Sequence, residues 1–143
     1  LAAHTGAHLH LCHVSTREAM AAIAAAKDAG VRVTCEVAPH HLFFKDSGYR
    51  VNPPIRQGAD VEALIQACLR GEVDAIATDH APHTAADKAA GAPGMVGLEA
   101  AYRVDAARLH SKSQNTPFDG KTFTGRVECT VKGGRITYTR DGE

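Results

Sequence analysis

The sequence has no surplus of charge. Sixteen Lys and Arg are matched by sixteen Asp and Glu, so the formal net charge at pH 7 is zero. A balanced chain offers no electrostatic footprint for a polyanion, which argues against nucleic acid or an anionic membrane as partner. No apolar run approaches the length needed to span a bilayer, and no secretory signal pattern is visible. None of the four cysteines, Cys12, Cys35, Cys68 and Cys129, forms a Cys-x-x-Cys pair, and each lies in an apolar or strand-like context. Buried reduced thiols in a cytoplasmic protein are therefore expected, in place of a disulfide scaffold. The first residue is Leu1, which fits either a processed start or an internal piece of something longer. With 143 residues the chain is long enough for one modest domain with a real core.

What the sequence does contain is an alternation of short apolar runs and helical stretches. Ala7 to Val14 reads as a strand. Ser15 looks like an N-cap with Glu18 completing a capping box. An Ala-rich helix from about Thr16 to Ala29 follows, ended by Gly30. Val31 to Val37 is a β-branched strand that Pro39 ends. A polar connection runs from His40 to Gly58. Asp60 is placed to cap a second helix, Val61 to Arg70, with Gly71 as its stop. Val73 to Thr78 is a third strand. This rhythm predicts an α/β protein with a parallel sheet. Thr84 to Gly97 reads as a small-residue loop, and Leu98 to Tyr102 as a helix start. Ser111 to Gly125 looks loop-like. Val127, Cys129 and Val131, then Ile136 and Tyr138 across Gly133-Gly134, predict an antiparallel hairpin. Three parallel strands leave sheet edges open, so partner segments or a larger assembly are expected.

Thr78-Asp79-His80-Ala81-Pro82-His83 places an acid and two histidines in a turn at the C-terminal end of a strand. Barrel enzymes place their chemistry at such ends. His13 stands at the end of the first strand. Imidazole and carboxylate together suit Zn²⁺, and a carboxylate is also a competent base. Each residue alone has a plainer reading: a satisfied, partly buried histidine for His13, a turn or helix cap for Asp79. Two ligands are also too few for a catalytic zinc, which normally has three from protein. His83 faces the same mouth or is an exposed loop histidine. Asn52, fixed by Pro53 and Pro54, is either a substrate-facing amide or an ordinary Asn-Pro turn. His40 and His41, adjacent on an extended chain, would point to opposite sides, so at most one would join His13.

Taken together, Cys12-His13-Val14-Ser15-Thr16, Cys35-Glu36-Val37-Ala38-Pro39-His40-His41-Leu42, Val51-Asn52-Pro53-Pro54-Ile55-Arg56, Thr78-Asp79-His80-Ala81-Pro82-His83, Gly97-Leu98-Glu99 and Asn115-Thr116-Pro117-Phe118-Asp119-Gly120 resemble dihydroorotase. The resemblance covers nearly the whole chain. It implies a (β/α)₈ barrel with two zinc ions that interconverts N-carbamoyl-L-aspartate and dihydroorotate in de novo pyrimidine synthesis. His13 matches the sixth-strand ligand of the second zinc. Asp79 matches the eighth-strand ligand of the first zinc and proton shuttle. Asn52 and His83 match substrate-binding positions, and Pro93-Gly94 the loop whose backbone closes over the substrate. In some members the positions of Cys12 and Glu36 help bind an extra zinc. The related hydantoinases and allantoinases usually lack a histidine where His83 stands.

The resemblance also implies absences. The family's first-strand His-x-His, carboxylated lysine, fifth-strand histidine and carboxylate-gripping arginine would lie before Leu1. A second gap falls near Tyr102-Arg103. Residues 1–102 are thus expected as part of the barrel, about strands six to eight, and 103–143 as a C-terminal segment with a hairpin. A homodimer is an open expectation. So is a non-catalytic role as structural partner of aspartate transcarbamoylase, since some dihydroorotase-like chains lack metal ligands.

Overall fold

The computed structural model describes residues 1–97, 105–108, 113, 115–122, 129–132 and 135–139. Its elements in chain order are α1 (Ala2–Thr5), β1 (Leu9–Leu11), α2 (Arg17–Asp28), β2 (Val33–Val37), α3 (Pro39–Phe43), α4 (Gly58–Leu69), β3 (Ala75–Ile76), α5 (Ala85–Ala89), a 3₁₀ turn (Ala106–Arg108), β4 (Cys129–Lys132) and β5 (Arg135–Thr139). β1, β2 and β3 form a parallel sheet in that order, with Leu9 beside Val33, Leu11 beside Cys35 and Val37 beside Ile76. The α/β rhythm read from the sequence is therefore the architecture, with strands shorter than their apolar runs. β4 and β5 pair antiparallel. The Leu98–Tyr102 helix start and the Gly133-Gly134 turn lie outside the described residues.

Period-two alternation sets the core. Val33, Cys35 and Val37 point to one face of β2 and are buried, while Thr34 and Glu36 between them are only half-buried. The apolar face packs against α2 and α4 through Met20, Ile23, Leu64 and Ala67. Each large side chain buried there contributes about 1.5–3 kcal/mol. The opposite face is polar. Thr34 Oγ1 lies 2.8 Å from His10 Nδ1, and His10 Nε2 lies 3.3 Å from Glu36 Oε2. A second cluster of Val51, Ile55, Met95 and Phe118, flanked by Phe44 and Tyr49, packs the α3–α4 connection against the segment after α5.

Several local expectations are corrected. The N-cap of α2 is Thr16, which accepts from Ala19 N at 3.2 Å, and Glu18 pairs with Arg17 instead of closing a capping box. Ser15 is buried, and its hydroxyl accepts from Arg56 Nε at 3.3 Å. Asp60 caps no helix of its own. Its carboxylate accepts Arg17 N at 3.1 Å, so α4 lends its first turn to the start of α2. Residues expected as loop form α3, with Pro39 in its first turn, and α5, with a complete Thr84–Asp87 capping box. Cys12, Cys35 and Cys68 are free thiols, but Cys12 is exposed rather than buried. It lies two residues from His10, on the polar side of β1.

Candidate metal centre

The C-terminal ends of all three parallel strands carry acid or imidazole groups. After β1, the Val14 amide still bonds Glu36 O at 2.8 Å, and the turn between places His13 at φ 39°. After β3, the Ala77 amide bonds Val37 O at 3.0 Å, and Asp79 follows at φ 49°. Left-handed backbone costs a non-glycine residue about 1–3 kcal/mol, and such residues cluster at functional sites. After β2, α3 presents His40 and His41, which are 1% and 2% exposed. An extended chain would have separated them. The helical turn brings their ring centroids within 4.2 Å.

His40 Nε2 lies 3.9 Å from Asp79 Oδ2. Burial first, then the neighbouring imidazoles of His41 and His13, push the His40 pKa down to about 4. His41 is also lowered, again chiefly by burial, although its bond to a backbone carbonyl works the other way. Its Nε2–H donates to Pro53 O at 2.9 Å, which leaves Nδ1 with a free lone pair. Both rings are thus neutral at pH 7, the form that ligates metals. His13 Nδ1, His40 Nε2 and His41 Nδ1 are buried without a protein partner. An unsatisfied buried polar atom costs about 1–3 kcal/mol, so these nitrogens call for a partner, although no three of His13, His40, His41 and Asp79 bring ligand atoms within 4.8 Å of one another. The donor set of imidazoles and one carboxylate fits zinc.

His40 and His41 were undervalued in the sequence. Their signal was the Pro39-His40-His41 run directly after a buried strand, the same position at which His13 and Asp79 were singled out. A separate group, His10, Cys12 and Glu36, offers ligand atoms that all lie within 4.8 Å of one another on the polar face. Desolvation and the Glu36 carboxylate raise the Cys12 thiol above its ordinary pKa.

The remaining expected site residues gather beside the Asp79 turn. The segment 94–97 runs alongside 78–81, with Ala81 N bonded to Met95 O at 2.9 Å and Gly97 N to His80 Nδ1 at 3.1 Å. Gly94, at φ 125°, donates its N–H to Arg50 O at 3.0 Å. A Cβ on it would stand 2.6 Å from Ala81 O and 3.0 Å from His83 Cδ2, so only glycine lets this loop abut His83. Pro93 and Asn52 are exposed and His83 is half-buried. His83 borders an open depression of about 550 Å³ shared with Asp87 and Gly91. Asn52 directly precedes Pro53, the residue whose carbonyl His41 holds.

No protein-family model matches the chain. Curated relatives do. A dihydroorotase of Clostridium botulinum is 38% identical over 196 aligned positions, which take in 98% of this chain and 49% of the relative. That alignment is longer than the chain's 143 residues, so the relative carries intervening residues with no counterpart here. A dihydroorotase of Geobacillus thermodenitrificans is 53% identical over 113 positions, covering 71% of the chain and 26% of the relative. Among solved structures, the L-hydantoinase (dihydropyrimidinase) of Arthrobacter aurescens superposes with a TM-score of 0.81 at 21% identity, over 99% of this chain and 47% of that one. This likeness establishes a shared fold. The chain spans about half the length of the first of these relatives, and by sequence it belongs to the dihydroorotase family of cyclic amidohydrolases.

Proposed function

We propose that this chain is the C-terminal, metal-binding part of a zinc-dependent dihydroorotase that interconverts N-carbamoyl-L-aspartate and dihydroorotate in pyrimidine synthesis. What supports the reading is the placing of His13, Asp79 and the buried nitrogens His40 Nε2 and His41 Nδ1, which lack a hydrogen-bond partner, at one end of a parallel sheet. In this reading β1–β3 are strands six to eight of a (β/α)₈ barrel, within residues 1–102. Residues 103–143 are a C-terminal segment.

His13 and Asp79 would hold the zinc, with His40 facing Asp79. Bound zinc supplies Lewis-acid polarisation of the ring amide carbonyl. Asp79 would take a proton from the attacking water as its oxygen bonds the carbonyl carbon, and deliver that proton to the ring nitrogen as the C–N bond breaks. His40, neutral and buried, stands 3.9 Å from that carboxylate. Asn52 offers both a donor and an acceptor to the amide-like edge of the substrate. His83 faces the substrate carboxylate, and the Pro93-Gly94 backbone closes the same side.

Asp79→Asn in the full-length polypeptide tests the reading. Turnover of dihydroorotate should fall by about 10³-fold or more, with the circular dichroism spectrum unchanged. Retained turnover would overturn the assignment of the base. Faster turnover of hydantoin than of dihydroorotate would move the chain to the sister activity. Absence of both zinc and turnover in the unsubstituted protein would leave a structural partner.

A further inference from the structure

Lys88, on α5, spends its charge on the main chain. Its Nζ donates to Arg50 O at 2.6 Å, Gly94 O at 2.9 Å and Ala92 O at 3.0 Å. An ammonium has three donors, so all of them go to backbone carbonyls. The Tyr49 ring lies against it, 4.3 Å from Nζ to the ring centroid. Burial and the nearby Arg50 guanidinium both lower its pKa, and no carboxylate among the described residues offsets them. Fixing a long lysine stem costs rotamer entropy. A lysine that only kept the surface soluble would leave its head in water.

The three carbonyls belong to two segments. Arg50 stands two residues before Asn52, and Ala92 and Gly94 flank Pro93. Arg50 O also accepts the Gly94 amide, so the two segments are stapled at one point by Lys88 and Gly94 together. Gly94 in turn touches Ala81 and His83 closely enough to forbid a Cβ. The ammonium is therefore the common anchor of Asn52, Pro93-Gly94 and, through Gly94, His83. We infer that Lys88 is a positioning residue that assembles the substrate-binding side of the site from these segments. The inference rests on the dihydroorotase reading for the identity of the substrate. Arginine is a poor replacement, because its donors lie in one plane while the carbonyls converge on a point.

The test compares Lys88→Met and Lys88→Arg with the unsubstituted full-length polypeptide, by dihydroorotate kinetics and by amide hydrogen exchange. Lys88→Met should raise KM about tenfold while kcat stays within about threefold, with zinc content unchanged. Amides of 92–97 should exchange faster, and those of α2 and β2 should not. Lys88→Arg should recover part of the loss in KM. An unchanged KM with unchanged exchange would overturn the inference. So would a joint fall of kcat, zinc content and stability, which marks a merely structural lysine. Where Lys88→Met does not fold, Tyr49→Leu removes the ring against the ammonium along with the Tyr49 hydroxyl's bond to Asn115 O, and Tyr49→Phe, which keeps the ring and loses only that bond, is its control. Tyr49→Leu should give the same KM-weighted effect in weaker form, and its absence counts against the inference. An unsubstituted protein that neither binds nor turns over dihydroorotate rejects the functional reading, while the exchange data still decide whether Lys88 holds the loop.

Discussion

A histidine buried to 1% exposure and kept neutral is a pH sensor whether or not function uses it. The His40 pKa falls from an ordinary 6.5 to about 4 in the fold. Between those values the unfolded chain binds a proton that the folded chain refuses, so stability falls as pH drops from 6.5 towards 4. Above 6.5 both states are neutral and His40 has no effect. His41, lowered in the same direction, acts in the same sense. The depressed carboxylates of Asp74, Glu72 and Asp87 lose their contribution only at lower pH, below their own ordinary range. The melting temperature, followed from pH 7 to pH 4, should therefore decline, and His40→Asn should flatten that decline. Parallel slopes in the two proteins would contradict the assignment. Gly94 makes a second residue-scale case. Gly94→Ala must relieve a 2.6 Å approach to the Ala81 carbonyl at φ 125°. It is expected to weaken dihydroorotate binding about tenfold or more, and calorimetric titration checks it.

Short elements depend on their ends. α5 has five residues, too few to hold themselves as an isolated helix. Its Thr84 hydroxyl accepts the Asp87 amide at 3.2 Å while the Asp87 carboxylate bonds back to Thr84. Thr84→Ala should cost about 1 kcal/mol, seen in denaturant unfolding and as faster exchange in 85–92. Leu64→Ala, by contrast, strikes the face of α4 that covers β2 and should cost about 2–5 kcal/mol. The contrast also explains what the sequence made legible. The alternation of Val33, Cys35 and Val37, the alanines of α2 and the stop at Gly30 are local signals, and each has its counterpart in the structure. α3 and α5 left no periodic trace because one turn of helix has no period. The choice of Thr16 over Ser15 as cap was decided by Arg56, forty-one residues away in the chain from Ser15, which claims the other hydroxyl. The Asp60 carboxylate went to α2 for the same kind of tertiary reason.

At the scale of the molecule, one face of the sheet is covered by α2 and α4, and among the described residues the other is not. The uncovered face carries the His10, Thr34 and Glu36 network. Parallel sheets are normally covered on both faces, and in the proposed barrel this face looks inward. His13 and Asp79 could be singled out in the sequence because each ends an apolar run. His40 and His41 could not be weighed properly, because their approach to Asp79 exists only once β2 lies between β1 and β3. In the proposed reading this donor set would hold a cation without completing the two-zinc centre that the resemblance implies. The 143-residue polypeptide studied by itself should then separate binding from catalysis. Zinc at about a hundredfold its dissociation constant should stabilise it by about 2.7 kcal/mol, and Asp79→Ala or His13→Ala should reduce that gain. Hydrolysis of dihydroorotate should stay undetectable, since a catalytic zinc normally draws on three protein ligands and an open position. Turnover by this polypeptide alone would mean that His40 or His41 ligates the metal directly, making the centre complete within this chain.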